Sequence, residues 1–166
     1  MLGMKYYIIN LILMYLPGSR FFALKRQLMR LLGAKVGQNV RVMNIKIQAV
    51  NLDVGNNTFI GEETFITGGK SSVIIGANCD ISSRVSIVTG THKIGNIEHA
   101  AGEGYSKDII IEDGVWIGFG VIILPGVTIG KGSIIAAGSV VVNNIPSGVM
   151  AAGVPAIVKN KLYVSN

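Results

Sequence analysis

Cysteine is almost missing from this chain: Cys79 is the only one in 166 residues. An internal disulfide is excluded, and a reducing, cytoplasmic compartment fits. Histidine is nearly as scarce. His92 and His99 stand seven positions apart, so a site built from three separated imidazoles is out of reach and no metal is expected. Charge is thin as well, at 14% of residues, and its acidic part is absent from one end. Residues 1–46 hold Lys5, Arg20, Lys25, Arg26, Arg30, Lys35, Arg41 and Lys46 without one Asp or Glu. The remaining 120 residues hold seven basic and nine acidic side chains, so the whole net charge of +6 comes from the N-terminal end. That asymmetry points to an anionic partner there. No aromatic interleaving accompanies the basic residues, so nucleic acid is not the expected partner.

Long hydrophobic helices are also lacking. Tyr6 to Leu16 is apolar except for Asn10, but eleven residues are too few to cross a bilayer. No small-x-small cleavage site follows it. Val115 to Val142 carries a single charge, Lys131, and hydropathy alone would flag it as a spanning helix. Six glycines and Pro125 argue against that. So does the spacing of its β-branched residues, which a helix would smear around its circumference.

That spacing is the strongest signal present. Ile111, Ile117, Ile123, Ile129, Ile135 and Val141 recur every six residues without a break. The residue after each is often small or acidic, as at Glu112, Gly118, Gly130 and Ala136. The fifth position is apolar or small: Val115, Val121, Val127, Ser133, Ser139 and Ile145. A period of six fits neither an α-helix nor one flat strand. It fits an all-β solenoid in which each hexad is a short strand plus a turn, and three hexads close one triangular coil. Such a prism has no deep cleft. Any site must lie on its surface or between copies.

The pattern divides the chain into an apolar and basic helical segment over 1–35, a β-helix over 36–148 and a tail over 149–166. Hexads start at Val36 and recur at Val54, Ile60 and Ile66. They resume in a new phase at Ile75, Ile81 and Ile87. Cys79 falls in an inward fifth slot and reads as core filler. In the first segment, Pro17-Gly18 ends one helix, Ser19 is the expected N-cap of a second, and Gly33 is its stop. Phe21, Leu24, Leu28 and Leu31 form its apolar stripe. Two roles fit the segment: peripheral contact with an anionic membrane, and a cap on the solenoid's end.

The repeat lapses over 93–108, a glycine-containing excursion with Lys93, Glu98, Glu103 and Lys107. Ile87 and Ile111 share one phase, so the coil resumes where it stopped. Long loops in regular folds are often functional. His92 stands at the corner where this loop begins. A neutral imidazole there can take a hydroxyl proton. His99 lies inside the loop without motif support.

The run VWIGFGVIILPGVTIGKGSIIAAGSVVV at 115–142, the Thr-Gly-Thr-His at 89–92 and the Ala-Gly-Val-Pro at 152–155 resemble the hexapeptide-repeat acyltransferases. The likeness covers roughly residues 36 to 160. It is nearest to the maltose and galactoside O-acetyltransferases and the O-acetyltransferases of surface-polysaccharide assembly. The basic N-terminus looks like the polysaccharide members. The resemblance implies a left-handed parallel β-helix, a homotrimer with its sites in the inter-subunit grooves, and acetyl-coenzyme A as co-substrate. It implies His92 as general base and coenzyme contacts at Trp116, Gly118, Phe119, Ala137, Val142 and Asn143. Lys159, and Lys161 beside it, are expected to meet the coenzyme's phosphates. Trp116 is expected to line the acetyl or pantetheine slot; the alternative is a corner aromatic buried by the trimer. Backbone N–H groups around Trp116 to Gly120 are expected to hold the oxyanion. Glu62 and Glu63 lie near where the small-sugar enzymes carry an acceptor-binding amide, and this chain differs there. Asp80 falls on another face from His92, so it could orient that imidazole only from a neighbouring copy.

The expected activity is acetyl transfer to a sugar hydroxyl, in surface polysaccharide or O-antigen assembly. The acceptor would be a nucleotide sugar or a lipid-linked glycan at the inner face of the cell membrane. N-acetylation of an amino sugar and a non-catalytic structural β-helix are the alternatives.

Overall fold

The computed structural model describes residues 2–48 and 51–163. Position 1 of the N-terminal segment and positions 164–166 of the tail lie outside the described residues.

Residues from Lys35 onward wind into a parallel β-helix with three sheet faces. The first face stacks Lys35–Val36, Asn51–Val54, Ser72–Ile75, Ile109–Ile111 and Thr128–Ile129. The second stacks Arg41–Val42, Phe59–Ile60, Asp80–Ile81, Trp116–Ile117, Ile134–Ile135 and Val149–Ala152. The third stacks Lys46–Gln48, Phe65–Thr67, Ser86–Val88, Ile122–Ile123 and Val140–Val141.

Register explains the sequence period. Val36, Val54, Ile75, Ile111 and Ile129 pair directly in one inward column. Val42, Ile60, Ile81, Ile117, Ile135 and Ala151 form the second, and Ile47, Ile66, Ile87, Ile123 and Val141 the third. All sixteen are buried. β-branched side chains suit this stacking because they pack well on a pleated surface. The fifth slots point inward too, and their polar members find carbonyls: Thr58 Oγ1 donates to Gly76 O at 2.7 Å and Ser133 Oγ to Pro146 O at 2.6 Å. Cys79 is fully buried in this position, and burial pushes its thiol pKa up.

The corners require left-handed backbone. Between the first and second faces it is supplied by Asn39, Asn57 and Asn78 in the early coils and by Gly114, Gly132 and Gly148 later. Asparagine tolerates this region through local hydrogen bonding. Here Asn39 Nδ2 donates to Asn57 Oδ1, and Asn57 Nδ2 to Asn78 Oδ1, each at 3.2 Å.

Two helices, α1 (Leu2–Tyr15) and α2 (Phe22–Leu31), close the starting edge. Each face of the first coil has a backbone group that no earlier coil can pair. Arg30 Nη2 donates to Val36 O at 2.6 Å on the first face, and Arg26 Nη1 to Val40 O at 3.0 Å at the entry to the second. On the third, Asn10 donates to Ile47 O and accepts from Ile47 N, both at 2.8 Å. The capping role therefore holds. Gly33 ends α2 as expected, with φ +98°. The N–H of Gly33 bonds Arg30 O and that of Ala34 bonds Met29 O, a Schellman pairing.

Two expectations for α2 fail. Ser19 is not its N-cap; Phe21 occupies that position in left-handed geometry without a side-chain cap. The expected stripe does not face inward either. Lys25, Leu28, Met29 and Leu32 are buried, while Phe21, Leu24 and Leu31 are exposed. Lys25 turns the helix this way. Its Nζ reaches Pro17 O at 3.1 Å, Gly18 O at 3.0 Å and Asn44 Oδ1 at 3.4 Å, satisfying the turn between the helices. Burial lowers its pKa, with Glu62 acting in the opposite sense.

Candidate functional site

The excursion after the third coil is an antiparallel hairpin, Gly90–Ile94 against Ala101–Ser106. Its base is tied to the prism by Lys107 N to Thr89 O at 3.0 Å, Ser72 N to Asp108 Oδ1 at 2.7 Å and Ser71 Oγ to Ser106 Oγ at 2.8 Å. His92 is therefore not a corner residue of the prism. It sits on the outgoing hairpin strand, exposed, opposite Gly104. Together with Gly69, Lys70, Gly90, Thr91, Tyr105 and Ser106 these residues line a cleft of about 590 Å³. Among the described residues, no side chain hydrogen-bonds the His92 ring. Asp80 lies on the second face, in register with Phe59 and Trp116, as its hexad position implies. His99 donates its backbone N–H to Asn96 Oδ1 at 2.9 Å within the hairpin's exposed turn.

The other expected residues fall on different parts of the prism. Val142 and Asn143 follow Val140–Val141 on the edge between the third and first faces, the edge that carries the hairpin. Lys107 packs its stem against Gly126 on that edge. Glu62, Glu63, Gly118, Phe119 and Ala137 lie instead on the edge between the second and third faces. There Glu63 Oε2 accepts from Arg84 Nε at 2.7 Å, and Arg84 Cζ stands 5.6 Å over the Phe119 ring. Glu62 and Glu63 also border a groove of about 440 Å³ with Met14, Asn44, Lys46 and Phe65. Trp116 is 52% exposed on the second face itself, between Asp80 and Ile134, rather than at a corner. Lys159 is exposed on Ile157–Lys161, which runs antiparallel to Val149–Ala152. In one chain the third face separates the His92 edge from the edge carrying Phe119 and the glutamates.

Three amides of the expected oxyanion region are already engaged. The N–H groups of Trp116, Gly118 and Gly120 donate to Ser133 O, Ile135 O and Ser83 O at 2.9, 2.8 and 3.0 Å. The ladder between coils consumes them, which a sequence pattern does not display.

Sequence reasoning gave no role to Gly68 and counted Gly104 only as a loop glycine. A side chain at Gly68 would overlap Thr89 Oγ1, a buried hydroxyl without a partner among the described residues. A Cβ at Gly104 would lie 3.6 Å from His92 Cδ2 and Nε2.

Known families match two stretches of the solenoid. Residues 108–143 fit the bacterial transferase hexapeptide (six repeats), and residues 52–89 fit the hexapeptide repeat of succinyl-transferase. An Escherichia coli K12 protein named as a candidate colanic acid biosynthesis acetyltransferase is 34% identical over 136 residues, 79% of this chain and 71% of its own length. The chain belongs to the hexapeptide-repeat acetyltransferase family. Galactoside O-acetyltransferase of Lactococcus lactis is 42% identical over 96 residues, 58% of this chain and 46% of that protein. The chain thus spans about half the length of the first curated relatives it matches, 57% and 46%. Among solved structures, a hexapeptide-repeat acetyltransferase of Vibrio cholerae complexed with acetyl-coenzyme A superposes with a TM-score of 0.86. It is 29% identical, with 98% of this chain and 88% of that one covered.

Proposed function

We propose that this hexapeptide-repeat protein transfers an acetyl group from acetyl-coenzyme A to a sugar hydroxyl, with His92 as general base. The observation that carries the reading is the uncovered His92 ring in the cleft at the root of the hairpin, on a chain of this family. His92 takes the hydroxyl proton as the oxygen attacks the thioester carbonyl. The C–S bond then breaks, and the proton passes to the leaving thiolate. The transfer is direct, with no acyl-enzyme, and Cys79 is buried in the core, away from the cleft.

The separation of the two edges supports an assembly of several copies. In a homotrimer each groove would join the His92 edge of one copy to the Glu62, Glu63, Phe119 and Ala137 edge of the next, with Trp116 exposed toward the same neighbour. The coenzyme would run along Phe119, Ala137, Val142 and Asn143, and Lys159 would meet its phosphates. The relative named for colanic acid supports a surface-polysaccharide precursor as acceptor, a nucleotide sugar or lipid-linked glycan, in the cytoplasm.

Calorimetric titration with acetyl-coenzyme A, followed by thiol release with a panel of sugar acceptors, tests this. About one coenzyme bound per chain and acceptor-dependent thiol release support it. A folded protein that binds no acetyl-coenzyme A rules it out.

A further inference from the structure

Helix α1 is built inside out. Its inward face is Tyr6, Ile9, Asn10 and Leu13, and the amide of Asn10 is spent on Ile47. Its outward face is apolar: Met4, Tyr7, Ile8 and Tyr15 are 65%, 63%, 49% and 80% exposed, with Leu11 and Ile12 beside them. Lys5 is the only charged residue on that face. Phe21, Leu24 and Leu31 of the adjoining turn and α2 are exposed as well. A helix that is apolar all round is normally covered on all sides, and a helix face carrying this many exposed apolar side chains marks an interaction surface. Asn10, Arg26 and Arg30 already explain the capping of the solenoid, and none of the outward residues takes part in it.

We propose that this face docks in the plane of an anionic lipid bilayer. No described helix is long and apolar enough to cross a membrane. The 14 residues of α1 lie along the surface for about 21 Å. The charge selects the occupant. Of the eight basic side chains in residues 1–46, Lys25, Arg26 and Arg30 are spent on the turn and the cap, while Lys5 and Arg20 are exposed beside this face, and the first acid in the chain is Asp53. Two copies meeting through this face would bring like charge against like charge. An anionic membrane takes the apolar side chains into the headgroup–acyl boundary and sets Lys5 and Arg20 against lipid phosphates. Exposed Tyr7, Tyr15 and Phe21 suit that boundary, where aromatic rings concentrate. This inference does not depend on the transferase reading, because it is read out by binding alone.

Flotation of the full chain decides it, with vesicles of phosphatidylcholine alone and of phosphatidylcholine with about one-third phosphatidylglycerol. The expected preference for the anionic vesicles is about 30-fold, the ~2 kcal/mol of two basic side chains at such a surface, and it falls as salt rises. Ile8→Glu with Ile12→Glu is expected to cut binding at least about tenfold while leaving the melting temperature and oligomeric mass of the free protein unchanged. A wild-type chain that floats with neither vesicle overturns the proposal, as does equal binding to both. A double variant that still binds, or that changes the oligomeric mass, assigns the face to another role and overturns it equally.

Discussion

His92 lies directly across the hairpin from Gly104, so the edge of its ring that carries Nε2 has no side chain against it. This pairing sets the space in which an acceptor hydroxyl would approach. A single Cβ at 3.6 Å is an ordinary contact, whereas a branched side chain reaches into the ring's approach. Gly104→Ala is therefore expected to keep transfer within a few-fold of wild type. Gly104→Val should lower kcat at least about tenfold without loss of coenzyme affinity. Equal activity in both variants would show that this side of His92 is not used.

Replacing His92 tests the proposed chemistry itself. His92→Ala is expected to lower kcat by about 10²–10⁴, the usual contribution of a positioned general base. Coenzyme affinity measured by calorimetry should stay within a few-fold. Near-full transfer by His92→Ala sinks the mechanism.

Because one chain keeps His92 and Phe119 on different edges, a groove shared between copies makes a complementation prediction. His92→Ala and Phe119→Glu should each be inactive alone. Co-refolded at equal amounts, they should recover about a quarter of wild-type activity, since that fraction of grooves receives both intact edges. No recovery in a verified mixed trimer would place the whole site in one chain.

The end cap predicts stability. Asn10→Leu leaves the buried N–H and C=O of Ile47 unpaired. A loss of about 2–4 kcal/mol is expected, a fall in Tm of roughly 5–10 °C for a domain of this size. Thermal unfolding followed by circular dichroism measures it, and an unchanged Tm would show that the cap is not structural.

Burial raises the Cys79 thiol above its ordinary pKa of 9.0. As pH rises past that value the unfolded chain loses this proton while the native state keeps it, so stability falls. Lys25, lowered by burial, acts in the opposite sense over the same range. The comparison is therefore between wild type and Cys79→Val, which both keep Lys25. Urea midpoints taken between about pH 8 and pH 10 should fall more steeply in wild type. Parallel slopes would mean that the thiol is not held protonated.

The inward columns were legible over 111–141 because the strand residues facing the core recur there every six positions; Ile47, five residues after Val42, breaks that spacing in the first coil. The orientation of α2 was not. Periodicity counts apolar side chains, and Lys25 goes inward to serve the carbonyls of Pro17 and Gly18, which no residue count displays. His92 stood out through its scarcity and its motif. Gly104 did not, because the partner of His92 depends on the register of a hairpin that pairs it with a residue twelve positions further along the sequence. The engaged amides at Trp116, Gly118 and Gly120 were hidden for a similar reason: Ser133 and Ile135 of a later coil and Ser83 of an earlier one accept from them, and no local pattern displays that pairing.

The first coil is closed by Asn10, Arg26 and Arg30, and the last is covered by the returning strand Ile157–Lys161. Between these ends every coil presents the same ladder to its neighbours. Overall length is thus decoupled from closure at the two ends. One coil of three hexads can be spliced in or out of the middle, and both terminal seals would meet the surfaces they meet now. Reach along the groove is the quantity that such a splice would change.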